Sequence, residues 1–381
     1  MKLKALLLAT AGVAVAGSAS AADLPVVAEP VDYVQVCDAY GAGFFKIPGK
    51  DTCLKIGGRI RTQFATDNLQ DNEGDKYEDY SAYAKGYLYL TSMTDTEIGL
   101  IKTYTEFNSK WDQAGSGKVE AGSAYLQIGA SYADILIGRT TSQFDGFTGA
   151  VDAGIITRNW SDKSTLQFAL AKSFGNGVTA AISAEDSSYR DGDTNSADYV
   201  GKVGIAQGWG SFEVAAALHD TVEGAEDNYG YAVRGTATIN LDMIAEGDAF
   251  VFQAAYADSA THYLGANEVL KGLVTGYDDA EQLDAEGVKG FGLGAGFTHF
   301  WTSEVATSID GSYLSLESDL ASGNYDIDRW AIDASIGWYP VSGMVIALDG
   351  GFANTEYDAA GTNNDVDFDD AKIGARVQYT F

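Results

Sequence analysis

The sequence predicts an all-β protein, a transmembrane antiparallel β-barrel of sixteen strands with one long loop folded into its lumen. Three features of the chain lead to this prediction. It ends in an alternating segment that closes on an aromatic residue. Segments with period-2 alternation recur about every 20 residues, and their connections alternate between short and long. Strands that touch lipid with an apolar face and line water with a polar face have this pattern.

The C-terminal segment, 369–381, has the clearest alternation. Its apolar face carries Ile373, Ala375, Val377, Tyr379 and Phe381. The termini of soluble domains are usually polar and poorly ordered, so an aromatic C-terminus on an alternating segment indicates a membrane strand. We expect Tyr379 and Phe381 to form the C-terminal signal that the barrel assembly machinery recognises.

Alternating segments upstream bring the predicted number of strands to sixteen. An even number is typical of bacterial barrels whose chain begins and ends on one side. The alternation of short turns with long loops favours a barrel over a soluble sandwich, and a propeller would have a blade-length repeat. The predicted strands span 53–66, 80–94, 96–108, 119–129, 133–141, 163–173, 177–186, 197–206, 209–219, 228–239, 247–258, 287–301, 303–316, 325–338, 343–355 and 368–381.

The N-terminus has the features of a secretory signal peptide. Two lysines precede an apolar stretch, 5–16, and a small-x-small cleavage site follows at 19–21. The apolar stretch is too short for a spanning helix, which needs about 20 residues. The predicted organisation is therefore a signal peptide at 1–21, a periplasmic segment at 22–52 and an outer-membrane barrel at 53–381.

Cys37 and Cys53 are the only cysteines of the chain. Because an exported protein meets an oxidising compartment, we predict that they form a disulfide. By the loop-entropy estimate, a bridge that closes so short a loop stabilises the fold by about 3 kcal/mol. The alternatives are two reduced cysteines or a metal site, and the lack of nearby histidines disfavours the metal.

The chain carries a formal net charge of −30, which argues against a nucleic-acid partner. The acidic residues concentrate in the long loops, notably 67–79 and 363–370. Solvated charge on external loops is the simple interpretation. A sharper hypothesis is that divalent cations bridge these carboxylates to anionic lipopolysaccharide. The spacing and glycine of an EF-hand are missing, so no metal site is predicted.

Seven basic residues lie on the polar faces of strands that become neighbours when the barrel closes. A charge that faces hydrocarbon at mid-height costs about 2–4 kcal/mol. We therefore expect these side chains to point into the lumen, where they form one basic wall. The basic wall consists of Lys55, Arg59, Arg61, Lys85, Lys102, Lys372 and Arg376.

The third long loop, 142–162, has few charges and contains two phenylalanines, Phe144 and Phe147. Folded inward, it would pack these rings against the wall and present Asp145 and Asp152 to the basic wall across the lumen. Such a constriction loop would narrow the pore and set a transverse field across it. The alternative is an ordinary external loop. A barrel of sixteen strands is wide enough to keep an aqueous channel.

Several segments resemble the alphaproteobacterial porins of the Brucella and Rhizobium type. The N-terminal signature is carried by Val31–Phe45, Ile47–Gly49 and Thr52–Leu54, and the third strand and the constriction loop by Thr96–Gly99, Lys102–Glu106, Ser142–Phe144 and Phe147–Gly149. The resemblance implies a homotrimeric general diffusion porin that passes small hydrophilic solutes and ions. Tyr89 stands where the family tends to have another basic residue, so ion preference is not carried over.

Two other functions remain open on the sequence alone. Tyr83, Tyr87 and Tyr89 share one inward face and would suit a sugar-selective channel, because sugars bind aromatic faces beside polar groups. A barrel-type outer-membrane enzyme would need a nucleophile and a base in one site. No such site can be placed around the three histidines, His219, His262 and His299. No cofactor is predicted, since no helix follows the glycine-rich segment 292–296.

Overall fold

A computed structural model describes residues 35–70, 80–113, 115, 117–192, 195–221, 229–266, 288–320, 323–359 and 366–381. The predicted signal peptide, most of the acidic loop 67–79 and residues 360–365 of the last long loop lie outside the described residues. Within the described part of the chain, no helix has the length and apolar character needed to cross a membrane.

Antiparallel strands account for most of the described residues and form one sheet. They are β1 (Phe45–Lys46), β2 (Cys53–Thr66), β3 (Tyr80–Thr96), β4 (Gly99–Asp112), β5 (Val119–Gly129), β6 (Asp134–Thr141), β7 (Ser164–Gly175), β8 (Val178–Asp186), β9 (Ala197–Gln207), β10 (Gly210–Asp220), β11 (Tyr229–Asn240), β12 (Ala249–Asp258), β13 (Val288–Thr302), β14 (Val305–Leu320), β15 (Gly323–Trp338), β16 (Met344–Ala359) and β17 (Val366–Thr380). Short 3₁₀ helices span Asp38–Tyr40, Ser187–Arg190 and Thr261–Leu264. Strands β2–β17 are the sixteen predicted strands, with ends that differ from the prediction by a few residues.

The barrel closes because β17 pairs with β2. The register runs from Gly374 opposite Ala65 to Thr380 opposite Arg59. The backbone of Phe381 adds two hydrogen bonds of 3.0 Å to Gly58. A closed sheet has no unpaired edge, and lipid could not satisfy the polar groups of such an edge. The prediction of a closed sixteen-stranded barrel is confirmed.

The barrel is apolar outside and polar inside, as strand β15 illustrates. Successive side chains of a strand point to opposite faces of the sheet. Trp330 and Ile332 are 44% and 42% exposed on the outer face, whereas Arg329 and Asp333 on the lumenal face are 4% and 0% exposed. This inverted distribution stabilises the fold only if lipid covers the outer face.

The hairpin turn between β7 and β8, at the short-turn end of the barrel, requires a glycine at position 177. Gly177 has a φ of +78°, and a Cβ atom placed on it would lie 1.9 Å from the carbonyl oxygen of Ala206. Only glycine tolerates both the left-handed backbone and this close approach. Tight turns of this kind join the strands at one end of the barrel, and longer connections join them at the other.

The N-terminal segment pairs with the start of β2 at the short-turn end, where β1 lies antiparallel to β2 with Phe45 opposite Leu54. Cys37 and Cys53 form the predicted disulfide, with Cα atoms 6.2 Å apart. Both cysteines are buried together with Phe44. The Nζ atom of the lumenal Lys55 lies 5.9 Å from the centre of the Phe44 ring. The disulfide therefore attaches this segment to the first barrel strand.

The apolar core lies inside the barrel, beneath the third long loop. This loop comprises residues 142–163, between β6 and β7, and is called the constriction loop below. Its Phe144 is fully buried and meets Tyr263 of the Thr261–Leu264 helix edge-to-face, with ring centres 4.7 Å apart. Leu264, Leu314 and other lumenal residues complete the cluster. The predicted inward folding of the loop is confirmed.

Candidate functional site

The constriction loop is attached to the lumenal wall by three aspartates of β14–β16. Asp310, Asp333 and Asp349 are each at most 3% exposed, and their Oδ2 atoms accept hydrogen bonds from backbone amides of the loop. The donors are Ala150 to Asp310 (2.9 Å), Ile156 to Asp333 (3.1 Å), and both Ala153 and Gly154 to Asp349 (2.8 Å each). Hydrogen bonds to ionised acceptors are stronger than those between neutral groups, so these contacts hold the loop against the wall.

Arg158 of the loop supplies countercharge to the same wall. Its Nε atom lies 3.5 Å from Asp310 Oδ1 and its Nη1 atom 3.5 Å from Asp333 Oδ2. The guanidinium also lies over the Trp160 ring, 5.1 Å from its centre. Two of the three wall carboxylates are thus partly neutralised by the loop itself.

The structure corrects the expected orientation of Asp145. Its side chain is buried at the root of the loop, where Oδ2 accepts a hydrogen bond of 2.6 Å from the Lys163 amide. The same oxygen forms an ion pair of 3.1 Å with Arg190, which is also buried. Asp145 therefore anchors the loop and does not face the lumen. The sequence gives no sign that Arg190, which follows β8, lies beneath this loop.

Asp152 also differs from its expected position across the lumen. Its carboxylate accepts a hydrogen bond of 2.7 Å from the Tyr339 hydroxyl. Arg376 donates to the carbonyl oxygens of Asp152 (2.6 Å) and Ala153 (3.0 Å). The loop thus reaches the basic wall and touches it at Arg376, so Asp152 does not oppose that residue from a distance. Burial raises the pKa of Asp152, while the Tyr339 hydrogen bond and the Arg376 charge act in the opposite direction.

Part of the predicted basic wall forms one patch. Arg59 lies opposite Tyr87, and Arg61 lies opposite Lys85 on β3 and Gln378 on β17. The Arg61 Nε atom donates a hydrogen bond of 2.7 Å to the Gln378 side chain. Arg376 lies beside them, opposite Gln63.

The other members of the basic wall lie apart from this patch. Lys55 is near the short-turn end, beside Phe44. Lys372 is paired with Asp370 at 2.7 Å. Lys102 lies on β4, opposite Met93 and Gln127. Alternation predicts that these side chains are lumenal, and register decides which of them are neighbours.

Four lumenal cations lack a carboxylate partner in the part of the chain that the structure describes. Among the described residues, Arg59, Arg61, Lys85 and Lys102 form no ion pair with an aspartate or glutamate. Each lies instead over a tyrosine ring. The distances to the ring centres are 5.3 Å for Arg59 to Tyr87, 5.8 Å for Arg61 to Tyr87, 4.9 Å for Lys85 to Tyr87 and 5.6 Å for Lys102 to Tyr125. Their positive charge is available to solutes in the pore.

The tyrosines beneath these cations form a continuous row across β3, β4 and β5. The ring centres are 6.1 Å apart for Tyr87 and Tyr89, 6.3 Å for Tyr89 and Tyr104, and 5.4 Å for Tyr104 and Tyr125. Two of the three predicted tyrosines belong to this tyrosine row. Tyr83 lies outside this row, and its hydroxyl donates a hydrogen bond of 3.0 Å to the Gln63 side chain. Tyr104 and Tyr125 were not among the predicted residues, although the alternation of side chains along β4 and β5 places both on the lumenal face.

The histidines serve as structural contacts. His219 is fully buried, and its Nδ1 atom lies 2.9 Å from Asp198, which also accepts a hydrogen bond of 2.6 Å from the Tyr263 hydroxyl. His262 contacts the backbone of the buried Arg190. His299 is hydrogen-bonded to Asp248 at 2.7 Å. These contacts attach external segments or turns to the barrel and do not form a reactive site.

A closed barrel with an apolar exterior, a polar lumen and a loop inserted to narrow it defines an outer-membrane channel of the porin class. The chain belongs to the porin subfamily, whose family model matches residues 23–381. It is 33% identical over 290 residues to porin Omp2b of Brucella canis, a match that covers 68% of this chain and 75% of the relative.

Solved outer-membrane proteins share the fold. The outer-membrane channel DcaP of Acinetobacter baumannii has a TM-score of 0.66 at 16% identity, over 87% of this chain and 97% of that chain. The trimer form of OmpT of Vibrio cholerae has a TM-score of 0.57 at 9% identity, over 87% of this chain and 100% of that chain. The protein is thus a general diffusion porin of the outer membrane and not an enzyme, and the predicted family is confirmed.

Proposed function

We propose that the constriction of this porin favours small anions and that Arg59, Arg61 and Lys85 set the preference. The observation that supports this proposal is the contrast between the two sets of charges. The three cations have no carboxylate partner among the described residues. Asp310 and Asp333, in contrast, are occupied by loop amides and by Arg158.

The expected preference is modest. A monovalent anion that passes about 5 Å from one cation in a water-like pore gains about 0.8 kcal/mol. Three such cations together contribute about 2.4 kcal/mol, which corresponds to about sixtyfold before screening by salt. The negative charges of the outer loops act against this at the pore mouth. Because exposed charges are screened beyond about 10 Å at 0.1 M salt, the nearest charges at the constriction dominate.

The reversal potential of the purified protein in a planar bilayer under a potassium chloride gradient tests this proposal. Wild-type channels should reverse on the side expected for chloride permeation, and the pair of substitutions Arg59→Gln and Arg61→Gln should move the reversal potential toward that of potassium. Lys172→Gln is the matched control, because Lys172 is exposed on the outer face of β7. An unchanged reversal potential in the double variant would reject the assignment.

We also infer that three copies of the chain assemble through the outer faces of β3 and β4. Between large apolar side chains such as Leu88 and Phe107, this region offers small or hydroxyl side chains. It includes Ala82, Ala84, Gly86, Ser92 and Thr103, and the last two are hydrogen-bonded to each other at 2.6 Å. Hydroxyl groups are poorly matched to lipid, so contact with a second copy suits them better. The trimer form of Vibrio cholerae OmpT supports a three-fold assembly.

Two glycines on the outer wall allow a matched test of this interface. A Cβ atom on Gly86 would meet only Ile60, at 3.7 Å, and one on Gly201 of β9 would meet nothing within 4 Å. Both sites therefore accept a tryptophan in the barrel itself. Gly86→Trp should dissociate the trimer in detergent, measured by light scattering, whereas Gly201→Trp should not. A trimer that persists in Gly86→Trp would place the interface elsewhere.

The C-terminal strand supports a further proposal, that its aromatic residues direct assembly by the barrel assembly machinery. Tyr379 and Phe381 are 46% and 68% exposed on the outer face, so they remain accessible to the assembly machinery when the strand pairs. Phe381→Ser should lower the yield of folded outer-membrane protein, whereas Phe381→Tyr should not. Equal yields would contradict the proposal. We propose lipopolysaccharide as the lipid that contacts the outer face nearest the long loops.

A further inference from the structure

We propose that the tyrosine row and its cations form a binding site for planar aromatic carboxylates that pass through the pore. This inference rests on the proposed anion preference and adds the class of solute that the pore would hold. The site consists of Tyr87, Tyr89, Tyr104 and Tyr125, with Arg59 and Lys85 at one end and Lys102 at the other.

The row is continuous because strand register places its rings side by side. Tyr104 and Tyr125 lie directly opposite each other on β4 and β5, and Tyr87 and Tyr89 belong to the same face of β3. The angles between neighbouring ring planes are 32°, 20° and 28° along the row. Tyr89 is stacked on Tyr104, and Tyr104 on Tyr125. A flat solute in the lumen therefore meets ring edges from three strands, which is the edge-to-face arrangement that aromatic pairs favour.

The cations at the ends of the row retain hydrogen-bonding capacity. Arg59 lies 5.3 Å from the centre of Tyr87 and 5.8 Å from that of Tyr89. The Arg59 residue is partly exposed and forms no ion pair with an aspartate or glutamate among the described residues. An arginine fork binds a carboxylate through two parallel hydrogen bonds. A solute carboxylate at Arg59 would supply the acceptors that the protein does not provide.

Glu106 helps to orient the solute. Its Oε2 atom lies 3.4 Å from the Tyr104 hydroxyl, within the tyrosine row. This negative charge disfavours a carboxylate beside Tyr104. The charged end of a solute would therefore lie at Arg59 and Lys85, with its ring directed toward Tyr89 and Tyr104.

The arrangement fits an aromatic carboxylate better than a sugar. A sugar ring needs an uncovered aromatic face, whereas the faces of Tyr89, Tyr104 and Tyr125 are stacked on one another. A planar anion uses both parts of the site, since its carboxylate pairs with the cations while its ring contacts the tyrosines. A saturated carboxylate lacks the aromatic contact, and a neutral aromatic lacks the charge.

The test compares benzoate with cyclohexanecarboxylate, which has the same charge and a similar size but no aromatic ring. The single-channel conductance of the full-length protein is measured in planar bilayers as the concentration of each sodium salt rises. We expect the conductance in benzoate to saturate and that in cyclohexanecarboxylate to follow the bulk conductivity. Tyr104→Leu should raise the half-saturating benzoate concentration about fivefold, whereas Tyr104→Phe, which keeps the ring, should preserve it.

The control variant is Tyr256→Leu, because Tyr256 is 40% exposed on the outer face of β12. It should saturate as the wild type does. If both carboxylates behave alike in the wild type, the aromatic site is wrong while the channel and its anion preference stand. If benzoate solutions reverse at the sodium potential, the proposed anion preference itself fails. Should Tyr104→Leu not fold, Tyr125→Leu and the comparison of the two anions still decide the question.

Discussion

Removal of one wall carboxylate should release the constriction loop without unfolding the barrel. Asp349 accepts hydrogen bonds of 2.8 Å from the amides of both Ala153 and Gly154. A hydrogen bond to a charged acceptor contributes about 1.5–3 kcal/mol, and the low end applies because water in the lumen can replace it. Asp349→Ala should therefore weaken the attachment of the loop by about 3 kcal/mol, which raises the detached population about a hundredfold.

Two measurements follow the detached state. Hydrogen exchange in a peptide that covers 150–156 should be faster in Asp349→Ala, and single-channel conductance should be larger or noisier. The melting temperature of the barrel should change little, since the strand ladder is intact. Asp328→Ala is the control, because Asp328 lies on the other face of the neighbouring β15 and is bonded to Tyr313. If exchange and conductance match the wild type, the wall aspartates do not hold the loop.

Three further predictions concern the disulfide, the root of the constriction loop and Asp152. Replacement of Cys37 and Cys53 by serine should lower the free energy of unfolding by about 3 kcal/mol and expose the N-terminal segment to proteases. The barrel should stay closed because β17 pairs with β2. A cleavage pattern like that of the wild type would contradict this prediction. Arg190→Met leaves Asp145 buried without its countercharge, so it should destabilise the protein by about 3–5 kcal/mol in chemical unfolding, and the double variant with Asp145→Leu should recover part of that loss. Burial raises the pKa of Asp152, so its charged form opposes loop attachment above that pKa and the opposition vanishes as the pH falls. Asp152→Asn should therefore slow hydrogen exchange of the loop, after correction for intrinsic rates, at about pH 7 but not at about pH 3, and an equal effect at both would refute the role of the charge.

The strands were predictable because, in a membrane barrel, apolar outward and polar lumenal side chains alternate along each strand. In β15, outward Trp330 and Ile332 alternate with lumenal Arg329 and Asp333, so period, face and approximate ends can be read without knowledge of any partner strand. The lumenal position of Arg59 and Arg61 follows from the same pattern, since a charged side chain that faces hydrocarbon destabilises the barrel.

Contacts between distant segments were not predictable in this way. Asp349 receives the amide of Gly154 across 195 positions of the chain, and Asp145 pairs with Arg190 across 45. Alternation shows that Asp349 faces the lumen but not that a loop backbone occupies it. The prediction for Asp145 is wrong because an acidic loop residue and a basic wall are complementary in charge, whereas the partner of Asp145 in the fold is the nearer Arg190.

The sequence by itself determined the class of fold, the number of strands, the disulfide and the inward loop, because each depends on local pattern, composition or a single available pair. Only the tertiary structure decided which charges are used within the protein and which remain for solutes. Strand register joins Tyr87, Tyr89, Tyr104 and Tyr125 into one row, and loop docking consumes the carboxylates of the opposite wall. Register and docking are set by contacts between segments far apart in the chain, and a one-dimensional pattern does not contain them.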